Sequence, residues 1–268
     1  MRPHKGPPPK VFFGAAGGIL AAVLAGVVVV AVASGGDEGG AAASEPASPV
    51  GRPVDSGRSP ASYSSSPTTG AYAGIARRAT DVKPLTEAES FPGSGEAIAV
   101  TEAKATLRLV DHRLDADCAN AVWGAALGDE LRRGGCTQAL RGMYADARRG
   151  FALSVTILNL NTSADADRLV EALGNGRGGG FIRPLTDRVA TPRSTSRTSS
   201  GASPTALPLE RFGEGFSMAR GLAMGHYAVI AWAQRLDGSG DAGDEALLAL
   251  LIEGGKAPGV LGRAAAAG

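Results

Sequence analysis

The sequence predicts an α+β domain over residues 89–268, a mainly antiparallel sheet with helices packed on one face, preceded by one transmembrane helix and a disordered linker. Short runs with period-2 alternation recur between turn signals, and three amphipathic stretches interrupt them. The order along the chain is β-α-β-β-α-β-β-α, which suggests an α+β layer with helices on one face of a mainly antiparallel sheet.

In Ala105–Leu114 (ATLRLVDHRL), Leu107 and Leu109 share one side with Arg108 opposite, the pattern of a half-buried strand. Asp117 can cap a following helix, in which Ala121, Val122, Ala125, Leu127 and Leu131 form an approximate apolar stripe before Gly134-Gly135. Thr137–Ala145 and Phe151–Leu160, separated by DARRG, form a hairpin. Its second strand is central, given Phe151, Leu153, Val155, Ile157 and Leu158. Ser163 opens a helix through Leu173 with acids in its first turn, and GNGRGGG ends it. Phe181–Leu185 reads as a short strand. Thr191–Thr205 holds nine Ser or Thr in fifteen residues and marks an exposed, flexible insertion over 187–208. Gly215–Ala223 and Tyr227–Leu236 form a closing strand pair turned at Met224-Gly225-His226, and Asp244–Ile252 is a terminal helix.

Upstream, Val11–Gly36 is an uncharged run of 26 residues, whereas about 20 suffice to cross a bilayer. Arg2, Lys5 and Lys10 precede it, and Asp37 and Glu38 follow. A positive-inside bias then gives a cytoplasmic basic tail (1–10), a signal-anchor (11–36) and an extracytoplasmic remainder. Cleavage near Ala33, after Ala31-Val32-Ala33, is the alternative and would release a secreted protein. Residues 37–88 are rich in Gly, Ala, Ser and Pro and read as a disordered linker with a reach of roughly 40 Å. The formal net charge of +1 argues against strong attraction to nucleic acid. The expected partners are the membrane, through a single pass, and an envelope protein or cell-wall component. Oligomeric state is not legible.

Cys118 and Cys136 are the only cysteines, and outside the cytoplasm an even pair reads as a disulfide. An unbroken helix between them would hold their backbones some 20 Å apart, too far for a bridge unless Gly124 or Gly128 breaks it. Asp111, His112, Asp115 and Asp117 crowd one segment, but their spacing matches no calcium loop, and a solvated strand end is the better reading. His226 beside Tyr227 places an imidazole and a phenol at one turn. Gly215–Ala219 (GFSMA) is a poor match to a nucleophile elbow, with Ser217 as nucleophile and His226 and Asp237 as its only helpers. GNGRGGG follows a helix and lacks the Lys-Ser/Thr of a phosphate loop. No catalytic, cofactor-binding or metal-binding residue is therefore assigned, and no cofactor is expected.

The segments DCANAVWGAAL, GCTQALRGMY, ILNLNTSADADRLVEAL and GLAMGHYAVIAW resemble uncharacterised actinobacterial proteins of streptomycete type, single-pass or secreted, over roughly residues 89–250. The resemblance implies the paired cysteines and an extracytoplasmic domain, and carries no activity. The expectation is a non-catalytic binding or interaction domain of the cell envelope. An envelope hydrolase and a partner-dependent sensor are the alternatives.

Overall fold

In the computed structural model, which describes residues 50–91, 97–175, 179–186 and 209–268, nine strands and five α-helices follow one another. β1 is Ser62–Ser66, and a 3-10 turn follows at Gly70–Ile75. Next come α1 (Glu87–Ser90), β2 (Ala97–Val100) and β3 (Ala105–Asp115). A second 3-10 turn (Cys118–Ala121) leads into β4 (Val122–Trp123), α2 (Ala125–Arg133), β5 (Gln138–Asp146) and β6 (Phe151–Asn159). α3 (Ser163–Asn175), β7 (Phe181–Ile182), β8 (Ser217–Met224), β9 (Tyr227–Arg235), α4 (Glu245–Gly254) and α5 (Pro258–Ala267) complete the chain. The main sheet has the order β1-β8-β9-β6-β5-β3-β2, antiparallel except for β1 beside β8, and β4 pairs with β7 apart from it. The α+β class and the mainly antiparallel sheet are as expected.

The helices, however, cover both faces of the sheet rather than one. Every residue of β5 and β6 is buried, and so is β9 up to Gln234. Along β6 and β9, Leu153, Val155, Ile157, Val229 and Ala231 pack with Leu247, Leu250 and Leu251 of α4 and Val260 of α5. The alternate residues Ala152, Leu158, Ile230 and Trp232 pack with Leu127 and Leu131 of α2 and Leu169, Val170 and Leu173 of α3. Strands that are apolar at both parities need cover on both sides, because each large apolar side chain left exposed forfeits about 1.5–3 kcal/mol.

A second correction concerns the segment read as a linker. From Val50 onward it belongs to the domain. β1 hydrogen-bonds along β8 from Ser62↔Met218 to Ser66↔Leu222, and Tyr63 donates to the Val170 carbonyl at 2.6 Å. Ile75, Leu85 and Phe91 are almost fully buried. These few apolar anchors are widely spaced but buried in the core, and the β8 edge takes up the polar backbone of the strand that precedes them. Residues 37–49, the expected anchor over 11–36 and the insertion over 187–208 lie outside the described residues. Among the described residues, no helix is long and apolar enough to cross a membrane.

The cysteines also meet by a route unlike the expected helix. The 3-10 turn and β4 occupy residues 118–123, and Gly124 at φ +92° redirects the chain before α2 begins. A Cβ on Gly124 would stand 2.2 Å from the Gly179 carbonyl oxygen, so only glycine fits there. Cys118 and Cys136 are thereby brought to a Cα–Cα distance of 6.2 Å and form a disulfide.

Candidate functional site

The residues singled out in the sequence do not converge. Ser217 opens β8 and is fully buried, while His226 lies beyond the far end of that strand. At about 3.3 Å per strand residue, the seven steps from Ser217 to Met224 alone span roughly 23 Å. His226 therefore cannot serve Ser217 as a base, which requires contact within hydrogen-bonding reach. Asp237 accepts hydrogen bonds from Ser239 Oγ at 2.7 Å and Ser239 N at 2.9 Å. GFSMA runs into an extended strand and makes no elbow.

The acidic segment is likewise dispersed. Asp115 is buried against Arg141, with Oδ2 2.6 Å from Nη2. Asp117 accepts from Ala119 N and Gly51 N, each at 2.9 Å, and so caps the 3-10 turn while tying down Gly51. His112 meets Glu87 at 3.1 Å on the surface. Among the described residues, no group of three His, Cys, Asp or Glu side chains is placed to hold a metal ion.

What His226 and Tyr227 do share is Asp81. The tight β8–β9 turn has Gly225 at φ +64° in its first central position. It points the His226 ring inward, where Nδ1 lies 3.1 Å from the Leu160 carbonyl and Nε2 lies 3.3 Å from Asp81 Oδ2. The Tyr227 hydroxyl donates to the same Oδ2 at 2.8 Å, and Arg263 of α5 donates to Oδ1 at 2.7 Å. Arg263 also donates to the Lys83 carbonyl, to the Pro84 carbonyl at 3.0 Å and to Glu89 at 3.3 Å. One guanidinium thus holds the segment over 81–89 against α5.

Burial opposes ionisation of Asp81, but the hydrogen bonds from Tyr227 and Arg263, the Arg263 charge and the His226 contact outweigh it, and the carboxyl lies below its ordinary range. Burial pushes the Tyr227 hydroxyl up, and Asp81 adds to that. For His226, burial is the largest influence and lowers the pKa; Asp81 and the Leu160 carbonyl pull it back up, and the Arg78 charge lowers it further. A base with a depressed folded pKa is protonated first in the unfolded chain. Its contribution is therefore complete above about pH 6.5 and is lost as pH falls below that. Asp81 acts with the same sign at lower pH, from about pH 4 downward. Thermal unfolding is expected to move to lower temperature between pH 7 and pH 5, with a slope of at most about 1.4 kcal/mol per pH unit for one proton. His226→Gln should flatten that part of the profile; an unchanged slope in the variant would refute the assignment.

The α4–α5 side of the sheet contains a cleft of about 260 Å³. Leu109, Tyr144 and Val155 form its floor, Ser90, Phe91 and Ala97–Ala99 one wall, and Glu253, Gly254 and Lys256–Pro258 the other. It lies where the edge strand β2 comes against α4, which also lies over β9, β6 and β8. Gly142 keeps the sheet low where Phe91 sits: a Cβ there would stand 2.6 Å from the ring. Ser90 is 3% exposed, and its Oγ, closed off from solvent, has no hydrogen-bond partner among the described residues. Glu253 and Lys256 at the opening pair with each other at 2.6 Å. Ala257, between α4 and α5, is held at φ +42°, a conformation that costs a non-glycine residue about 1–2 kcal/mol. Such a cavity, mostly apolar with a few placed polar groups, has the make-up of a small-molecule site.

None of the cleft residues stood out in the sequence as functional; Leu109 and Val155 were legible only as apolar strand positions. One local signal was present: Thr86 and Glu89 form a reciprocal capping box, readable as Thr-x-x-Glu, which starts α1 and carries Ser90 and Phe91 to the wall. For Arg263, a lone cation in an Ala-rich stretch, there was none.

No protein-family model matches the chain, and neither a curated protein nor a solved structure matches it.

Proposed function

We propose that this chain is a membrane-anchored extracytoplasmic protein whose domain binds a small, largely apolar compound in the cleft between β2 and the α4–α5 junction, without covalent chemistry. The observation that carries the reading is the cleft itself, about 260 Å³ with a largely apolar floor and walls. The dispersal of Ser217, His226 and Asp237 supports binding over hydrolysis.

The membrane part rests on the uncharged run Val11–Gly36 with basic residues before it and acids after it, and on the cystine, which suits an oxidising compartment. The resemblance to uncharacterised single-pass or secreted actinobacterial proteins of streptomycete type agrees with it.

The test is extraction of the full-length protein from its native membrane, followed by mass spectrometry of co-purifying small molecules. One organic compound is expected in near-stoichiometric amount with the wild type and absent from Ile98→Trp, whose indole would fill the cleft. Hydrolysis of an envelope ester or amide that disappears in Ser217→Ala would sink the non-catalytic reading.

A further inference from the structure

On the other side of α4 from the cleft, a groove of about 490 Å³ lies between β8 and the α4–α5 junction. It belongs to the β1–β8 edge of the sheet, the edge opposite β2. Arg220, Leu222 and Met224 stand two apart in β8, so they face the same side and span about 13 Å over four strand steps. That side is the α4–α5 side, since Leu222 and Met224 pack with Leu251 and Val260. A Cβ on Gly255 would stand 2.7 Å from Leu222, which shows how closely the end of α4 presses on this floor. Ile252 of α4 and Leu261 of α5, 55% and 41% exposed, line the groove and leave its apolar interior open to solvent.

Every polar side chain lining this groove can donate a hydrogen bond. Ser66, Thr69 and Tyr72 bring hydroxyls, Arg220 and Lys256 bring cations, and among the described residues no Asp or Glu lines it. Lys256 is exposed and already paired with Glu253 at 2.6 Å, so it adds little. Arg220 is different. Its half-buried guanidinium donates to Ser66 Oγ at 3.2 Å, and among the described residues it is in ion-pair contact with no carboxylate. The neighbouring strand supplies none either, because the parallel register sets Ser64 beside Arg220 and Ser66 beside Leu222. A guanidinium matches a carboxylate with two parallel N–H donors, and here that fork has only a serine to meet. A cationic ligand would face Arg220 with no acid to offset it, and a neutral one would leave its charge unanswered. At about 30 Å³ per water-sized group, the space of about 490 Å³ takes on the order of sixteen non-hydrogen atoms.

We infer that this groove is a second binding site, for a free long-chain carboxylate, with its head on Arg220 and Ser66 and its chain over Leu222 and Met224 between Ile252 and Leu261. Three photoreactive probes with the same fourteen-carbon, diazirine-bearing chain, as the carboxylate, its methyl ester and the primary ammonium, test this on the full chain in phosphatidylcholine nanodiscs. Peptide mapping separates labelling of residues 217–224 and 245–262 from labelling of residues 97–115 in the cleft and of the uncharged run over 11–36.

The carboxylate is expected to saturate the 217–224 and 245–262 peptides at a concentration about fivefold lower than the ester or the ammonium, the upper end of what a partly exposed ion pair supplies. Arg220→Gln should bring the carboxylate level with the ester and leave the ester unchanged. Ile252→Glu, at an exposed helix position, should weaken labelling by the carboxylate and strengthen that by the ammonium, and it serves alone if Arg220→Gln does not fold. Ester or ammonium labelling as tight as that of the carboxylate, or a preference that survives Arg220→Gln, overturns the inference. So does the lack of saturable labelling at these peptides, whatever is found at 97–115, where the result bears on the cleft instead. Loss of labelling when phosphatidylglycerol replaces phosphatidylcholine identifies the occupant as a bilayer phospholipid and also overturns it.

Discussion

Asp81→Ala is expected to lower the unfolding free energy by about 3 kcal/mol, the lower end of the cost of breaking a buried charge pair. The carboxylate joins two distant parts of the fold: Tyr227 donates to it at 2.8 Å with the neighbouring His226 ring at 3.3 Å, and Arg263 of α5 donates to it at 2.7 Å. Removing it strands a phenol inside the fold and takes from Arg263, only 12% exposed, its closest carboxylate. Glu89 at 3.3 Å still neutralises part of that charge, which keeps the loss from the upper end of the range. Asp81→Asn keeps the volume and one acceptor, and should cost about half as much. Urea unfolding followed by tryptophan fluorescence measures both, and a midpoint for Asp81→Ala equal to that of the wild type would refute the central role given to this group.

Loss of the disulfide should cost a similar amount. Cys118 and Cys136 close a loop of sequence separation 18, and the chain-entropy relation for such a loop gives about 3 kcal/mol. Both cysteines are buried, so Cys118→Ala with Cys136→Ala replaces them with small apolar side chains and adds no unpaired polar group. The double variant and the dithiothreitol-reduced wild type should unfold at the same lower urea concentration. If the reduced protein keeps the oxidised midpoint, the bridge contributes nothing to stability.

The strands legible in advance were those whose apolar pattern is set by local burial. β3, β5, β6, β8 and β9 fall within a few residues of the expected runs, as do α3 and α4. What could not be read is what distant partners impose. SYSSS carries no apolar alternation, and it is a strand because the β8 edge offers it a ladder. β2 holds only four residues, and α5 reads as an Ala-rich tail until Val260 is seen in the core. The same holds for the chemistry. His226 and Tyr227 are visible as a pair in the sequence, but the carboxylate joining them lies at position 81, inside a stretch whose composition spoke for a linker. One-sided helix packing was inferred from the order of elements; the apolar residues at both parities of β6 and β9 were the signal against it.

The parallel β1–β8 pair also dictates when folding can finish. Ser62 bonds opposite Met218, so the first strand of the domain has no seat until almost all of the chain is available. Closure over so long a span carries a large entropic cost and places this topology among slow folders. During that delay the unfilled edge of β8 will accept the same segment from any neighbouring molecule, since the pairing is identical whether the strand comes from its own chain or another. A concentrated refolding mixture should therefore yield strand-exchanged dimers, and a dilute one monomers.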